Sequence, residues 1–207
     1  MKGLLLKDLL SLRKYMRTLL LFTAAYALLI FFMDSSDFLG GMIVLMCAMI
    51  PVTSFSLDHQ SGWDVYELSL PITRREVVKS KYLLALILTL IGTGISIAIG
   101  IAYRLITHSG ELLEALTVSY ALFAVGMLFA SILLPLIFKF GVEKSRLITI
   151  AIFAAPTAAF VALSNMGVKL PDEQAIRLIF YLSPLILIAA IALSYALSSA
   201  IYRKKEI

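Results

Sequence analysis

The side chains that could act as nucleophiles, metal ligands or proton carriers are few in this sequence and far apart. Cys47 is the only cysteine, and the two histidines, His59 and His108, fall near opposite ends of the apolar segments. A single cysteine cannot build a disulfide, a paired-cysteine metal site or an iron–sulfur site within one chain. The patterns HExxH, GxSxG and GxxxxGK followed by Ser or Thr are also missing. We therefore predict that the chain is not an enzyme and holds no metal or cofactor.

The sequence offers instead a candidate docking segment within residues 58–81, DHQSGWDVYELSLPITRREVVKSK. Trp63, Tyr66 and Leu70 follow one another at three- and four-residue spacing, which places them on one helical face. Aromatic residues are frequent hot spots of protein interfaces, and a polar rim is typical of such sites. Three acidic residues lie near them in sequence: Asp58, Asp64 and Glu67. An anionic membrane surface would repel these carboxylates, so we favour protein docking over a helix lying among lipid headgroups.

Two capping patterns divide this segment into helices. Ser61 followed by Asp64 is a capping box that predicts the start of a short helix, and Pro71 ends that helix. Thr73 with Glu76 is a second capping box, which opens a helix that continues into the next apolar run. We therefore expect two helices at an angle, joined by a Leu-Pro-Ile linker.

The composition predicts that lipid surrounds most of the chain. Of the 207 residues 61% are hydrophobic and 15% are charged. Continuous apolar runs of about 20 residues cross a bilayer as helices, whereas the strands of a barrel alternate in polarity. We predict an all-α membrane protein, one domain over residues 1–207 with six transmembrane helices. The predicted spans are 18–33, 38–57, 82–106, 115–138, 147–163 and 177–201.

Lys and Arg indicate the orientation, because basic residues are retained on the cytoplasmic side of short loops. Fifteen of the 18 lie before the first span, between the second and third or the fourth and fifth spans, or after the sixth. We therefore expect both termini and the docking segment in the cytoplasm. This distribution also accounts for the net charge of +5, so no nucleic-acid partner is predicted.

The N-terminal residues 1–17 have an amphipathic helical pattern. One stripe is apolar and consists of Leu5, Leu9, Leu12 and Met16. The other is polar and consists of Lys7, Ser11 and Lys14. Such a pattern is typical of a helix that lies in the membrane interface. We predict an interfacial helix here, in contact with membrane lipid.

Small residues lie four apart on one face of the third span, at Gly92, Ser96 and Gly100. Small side chains let two helices approach closely. Two alternatives remain open at this point: packing within the chain, or contact with a second copy of it.

The region before the sixth span also has two readings. Pro171 followed by acidic residues predicts a helix start outside the membrane. Pro184 could then separate a short external helix from the sixth span, or it could lie inside one long kinked helix.

The docking segment carries a family resemblance. An acidic residue followed by GWDVYELSLPITRREVVKSKYLL resembles the loop after the second span in type-2 ABC exporter permeases. The likeness is greatest to the permeases of the phenol-soluble-modulin exporter and of related antimicrobial-peptide export systems. The opening MKGLLLKDLLSLRKY resembles the interfacial elbow helix of that family. The family also has a short external helical element before its last span, which favours a break at Pro184.

The resemblance implies a function as the permease subunit of an ATP-driven exporter in a prokaryotic cytoplasmic membrane. The segment from Asp58 to Leu70 would be the coupling helix, which inserts into a cleft of a separate ATPase subunit. Its contacts would centre on Trp63, Tyr66 and Glu67. ATP and Mg²⁺ would bind that partner, and two permeases, identical or paralogous, would form a dimer.

The cargo implied is an amphipathic peptide or another hydrophobic substrate, because the predicted spans contain almost no charge. One alternative keeps the permease fold and changes the cargo to an ion or a small drug. Another is a membrane scaffold or sensor that transports nothing and binds a different cytoplasmic partner.

Overall fold

A computed structural model of the chain describes residues 2–33, 36–108, 112–165 and 173–204. All regular structure within these ranges is helical. The α-helices are α1 Lys2–Ser11, α2 Arg13–Met33, α3 Ser36–Gln60, α4 Trp63–Tyr66, α5 Arg74–Thr107, α6 Leu112–Asn165 and α7 Glu173–Lys204. A short 3-10 helix, Glu67–Ser69, follows α4 directly.

Four helical stretches of the described residues are long and apolar enough to cross a membrane. They are Gly40–Gln60, Arg74–Thr107, Ala115–Ser145 and Phe180–Lys204. These stretches correspond to the predicted second, third, fourth and sixth spans. The predicted first and fifth spans are helical as well, within α2 and α6, but their crossing of a membrane stays a prediction.

The centre of the bundle is the close contact between α3 and α5. A Cβ atom added at Gly92 would lie 2.7 Å from Cys47 Cβ and 2.8 Å from its sulfur. One added at Gly40 would collide with the Ser96 hydroxyl. Gly92 and Ser96 therefore serve packing within the chain. The nearest group to a Cβ at Gly100 is the Arg104 side chain of the same helix, at 3.9 Å.

The predicted capping box at the start of α5 is confirmed. Thr73 N donates to Glu76 Oε2 at 2.8 Å, and Glu76 N donates to Thr73 Oγ1 at 3.3 Å. Leu70 is extended, with φ −87° and ψ 150°, so the chain changes direction between the two helices as predicted. The Ser61 hydroxyl donates to the Asp58 carbonyl at 3.2 Å, while the Asp64 side chain of the other predicted capping box lies outside the described residues.

A sharp bend divides α6 at Gly141, whose backbone has φ 77° and ψ 176°. Only glycine adopts such a conformation without a steric penalty. Leu133 and Ile150 line the same groove, although a straight helix would hold them about 25 Å apart. The chain therefore folds back at Gly141, where the sequence placed the connection between the fourth and fifth spans.

The last helix, α7, runs through Pro184 without a break. Proline has no N–H, so the Phe180 carbonyl loses its helical partner. The Ser183 hydroxyl replaces that partner by donating to Phe180 O at 2.7 Å, which is how hydroxyl side chains commonly repair proline sites in membrane helices. The long-helix reading is therefore the one found for residues 173–204. The predicted start at Pro171 lies outside the described residues.

The apolar stripe predicted for residues 1–17 is divided between α1, Leu12 and the start of α2, and it packs on the protein core. Leu12 is fully buried against a cluster that includes Ile43 of α3 and Leu84 of α5, while three further members of the stripe pack on the same cluster: Leu5, Leu9 and Met16. The exposed apolar residues of α1 are different ones, Leu6 and Leu10. The most exposed apolar side chains of α1 are thus not those of the predicted stripe, and the interfacial position of the helix stays a prediction.

Candidate functional site

Four charged side chains from three helices meet beneath the docking segment. Lys7 and Asp8 come from α1, Asp58 from the end of α3, and Lys81 from the start of α5. Lys81 Nζ lies 2.5 Å from Asp58 Oδ2 and 3.1 Å from Asp8 Oδ1. Lys7 Nζ lies 2.5 Å from Asp58 Oδ1 and 2.8 Å from Asp8 Oδ1. Each lysine thus bridges both carboxylates, and the formal charges of this ion-pair cluster cancel.

Lys81 occupies the buried centre of the ion-pair cluster. Its ammonium also donates to Ser54 Oγ at 2.8 Å, so three acceptors match its three protons. The side chain is 5% exposed and lies 4.9 Å from the centre of the Phe55 ring. A buried charge is tolerated only when it is paired and hydrogen-bonded in this way.

Lys7 joins the ion-pair cluster to the docking segment. Its ammonium lies 4.5 Å from the centre of the Trp63 ring, which is within the range of a cation–π contact. Burial lowers the pKa of Lys7, but hydrogen bonds and charges from Asp58 and Asp8 outweigh it and raise the pKa above 10.5. Lys7 is therefore a cation at neutral pH, and it holds Trp63 against α1.

The far end of the docking segment is fastened to α7. Glu67 is 5% exposed and accepts a hydrogen bond from the Tyr202 hydroxyl. Arg74, at the start of α5, donates to the carbonyls of Tyr202 and Arg203 at 3.0 and 3.1 Å. A cation at the last carbonyls of a helix is a favourable cap. The segment is thus held by α1 on one side and by α7 on the other.

These contacts correct the predicted arrangement of the acidic rim. Asp58 and Glu67 are each 5% exposed and are paired inside the chain, so they form no outward rim. Repulsion by anionic lipid therefore no longer applies to them. Tyr66 is 58% exposed, Ser61 is exposed and Leu70 is half-buried.

Tyr66 and Trp63 differ in what surrounds their rings. Their rings are neighbours, with centroids 5.4 Å apart. The Trp63 ring carries Lys7, whereas the Tyr66 side chain is open on the surface. Tyr66 is therefore accessible at the surface, whereas Trp63 is half-buried beside Lys7.

Sequence analysis overlooked Asp8 and Lys81 and placed Lys7 only on a polar stripe. A signal for Asp8 was available, because it follows Leu4 by four residues and precedes Leu12 by four, which puts it on the buried face of α1. Lys81 likewise falls four residues after the buried Val77. An ionisable residue on an apolar helical face implies a buried partner, although the sequence does not say which one.

The fold defines the class of protein: a polytopic α-helical membrane protein, with the candidate docking segment between two of its long apolar helices. The family model described as ABC-2 family transporter protein matches residues 3–203. The chain therefore belongs to the ABC-2 transporter family and is the membrane permease component of an ABC transporter, a family role that implies an ABC ATPase partner. No curated protein and no solved structure matches the chain.

Proposed function

We propose that this permease exports an amphipathic or hydrophobic substrate from a prokaryotic cell. It has six membrane spans with both termini in the cytoplasm, and two copies form the transport path. A separate ATPase binds ATP and Mg²⁺ and docks on the part of the docking segment from Asp58 to Leu70. One observation carries the proposal: the segment presents Tyr66 outward, while the ion-pair cluster joins its inner side to three helices.

The ion-pair cluster would transmit a movement of the docking segment to the membrane helices. A push on the segment acts on Trp63 and Asp58, and these residues contact Lys7 of α1 and Lys81 of α5. Closing of two ATPase subunits on ATP would thus shift α1, α3 and α5 together, as rigid-body switches do elsewhere.

An apolar groove supports the cargo class. It has a volume of about 350 Å³, within the range of small-molecule pockets, and lies between α3 and the two arms of α6. Among the residues that the structure describes, no titratable side chain lines it. The lining residues are Met49, Val52, Thr53, Leu133, Ile137, Val142, Ser145 and Ile150. Such a surface suits a hydrocarbon chain or the apolar face of a peptide toxin or antimicrobial peptide better than an ion.

Co-purification in mild detergent tests the docking role. Tyr66→Ala is expected to reduce recovery of the ATPase that accompanies the wild-type chain by about tenfold or more, as for interface hot spots. Tyr181→Ala is the matched control, because Tyr181 on α7 is 79% exposed and lies outside the segment. Equal recovery of the ATPase with both variants would contradict docking at Tyr66.

Transport assays in inside-out vesicles test the cargo class. Val52→Trp fills the groove and is expected to abolish ATP-dependent uptake of an amphipathic peptide while ATPase co-purification stays unchanged. Val125→Trp is the control, because Val125 on α6 is 52% exposed and does not line the groove. Peptide uptake that survives Val52→Trp would exclude the groove as the cargo path.

A further inference from the structure

A small, partly open cavity lies between the docking segment and α5, beside the ion-pair cluster. Its volume is about 10 Å³, which is close to the space that the centre of one water molecule requires. Its lining includes all four charged residues of the ion-pair cluster together with Trp63, Glu67 and Ser80. The cavity is therefore small, and the four charged side chains of the ion-pair cluster border it beside the apolar Leu4 and Val77.

Two polar atoms of the lining residues lack a hydrogen-bond partner. They are Trp63 Nε1 and Ser80 Oγ, and both atoms are buried. Ser80 as a whole is only 2% exposed. A buried polar group left unpaired costs about 1–3 kcal/mol, and native proteins pair such groups with protein atoms or ordered water. Two of them at one polar cavity indicate a ligand.

The chemistry of the lining identifies this ligand. An indole N–H can only donate, so the missing group must accept a hydrogen bond. Lys81 cannot serve, because it is itself a donor with three acceptors already in place. A cation would face this N–H and two ammonium groups, while an anion would face the carboxylates of Asp8 and Asp58. Water both accepts and donates, and it fits the volume.

We propose that this cavity is a binding site for one water molecule, which accepts from Trp63 Nε1–H and hydrogen-bonds to Ser80 Oγ. The water connects α4 to α5 at a point where the two helices have no direct hydrogen bond among the contacts described. Trp63 is then held twice, by Lys7 on the ring face and by water at the N–H edge. This makes Trp63 a positioning residue of the segment, whether or not an ATPase docks there.

The sequence makes the test site-specific, because Trp63 is the only tryptophan of the chain. Ultraviolet resonance Raman spectra of the purified full-length protein report whether its indole N–H is hydrogen-bonded. The expected wild-type marker band is that of a bonded N–H. Ser80→Val, which puts methyl groups into the cavity, is expected to shift it to the free position.

Ser131→Val is the matched control. Ser131 is a buried serine of α6 that bonds to the Met127 carbonyl, and its replacement should leave the Trp63 band unchanged. A free N–H band in the wild type would overturn the proposal, because the cavity would then be dry. So would a bonded band that Ser80→Val leaves in place, since the partner would not be water in this cavity.

A second measurement covers the case in which Ser80→Val fails to fold. A density map of the wild-type protein, at a resolution that shows ordered water, should contain a peak within hydrogen-bond distance of both Trp63 Nε1 and Ser80 Oγ. An empty cavity in that map would overturn the proposal. Neither measurement involves the ATPase or transport, so their outcome is separate from that of the proposed function.

Discussion

Lys81 of α5 and Asp8 of α1 are separated by 73 residues in the sequence, yet Lys81 Nζ lies 3.1 Å from Asp8 Oδ1. This contact fixes the N-terminal helix against the start of a membrane helix. It also brings Asp8 and Asp58 onto one ammonium group, so that neither carboxylate is buried without a cation.

Removal of Lys81 should be strongly destabilising. Lys81→Met leaves two buried carboxylates with one lysine, and breaking a buried ion pair costs about 3–5 kcal/mol. Thermal unfolding in detergent should show a clearly lower midpoint. Lys79→Met is the matched control, because Lys79 is exposed on the same helix and should change stability by less than about 0.5 kcal/mol. Equal midpoints for the two variants would show that the ion-pair cluster contributes nothing.

The contribution of Lys7 to the free energy of unfolding should disappear only at strongly alkaline pH. Its pKa is raised above 10.5 in the fold by Asp58 and Asp8 in spite of burial, so the folded state holds this proton more tightly than the unfolded state does. The resulting stability is fully present below pH 10.5 and is lost as the pH rises through the folded pKa. The difference in unfolding midpoint between wild type and Lys7→Met should be constant from pH 7 to about 10 and shrink above that. A difference that shrinks between pH 7 and 9 would contradict the pairing.

Two glycines of α5 should respond in opposite directions to the same substitution. Gly92→Ala places a Cβ 2.7 Å from Cys47 Cβ and should cost about 1–3 kcal/mol through overpacking. Gly94 has no atom within 4 Å of such a Cβ, so Gly94→Ala should stabilise the helix by about 0.5–1 kcal/mol. Unfolding midpoints in detergent test both. If Gly92→Ala proved neutral, the close approach of α3 and α5 would be wrong.

The capping box at the start of α5 should contribute measurably to the stability of the first turn of this helix. Thr73→Ala removes the hydroxyl that accepts from Glu76 N, and loss of such a cap costs about 1 kcal/mol. Amide hydrogen exchange should increase in the first turn of α5. Thr107→Ala is the control, since its hydroxyl bonds to the Tyr103 carbonyl at the opposite end of the helix and should leave that first turn unchanged.

Local patterns of the sequence predicted local structure well. The cap at Thr73, the change of direction after Leu70 and the helical character of the long apolar runs all depend on residues within a few positions of one another. The continuity of α7 at Pro184 required one further local detail, the hydroxyl of Ser183. The sequence contains that serine, but the family resemblance favoured a break at Pro184 over one continuous helix.

The sequence did not predict the contacts between side chains that are far apart along the chain. The sequence analysis predicts Asp58 and Glu67 on an exposed rim, because the residues next to them in sequence do not indicate that Lys81 and Tyr202 are their partners. The local sequence around an acidic residue is the same whether its carboxylate contacts solvent, a partner protein or a distant residue of its own chain. Burial of both carboxylates shifts the candidate surface toward Tyr66 and gives Trp63 an internal role.

Helix α7 spans 32 residues, so its length is about 48 Å against a hydrocarbon core of about 30 Å. Its last turn is fastened to the docking segment through Tyr202 and Glu67, and no loop interrupts it. The helix is therefore one continuous rod, attached near its C-terminal end to the candidate docking segment. If an ATPase docks there as proposed, a tilt imposed at that end would be transmitted along the whole rod to the opposite side of the bilayer.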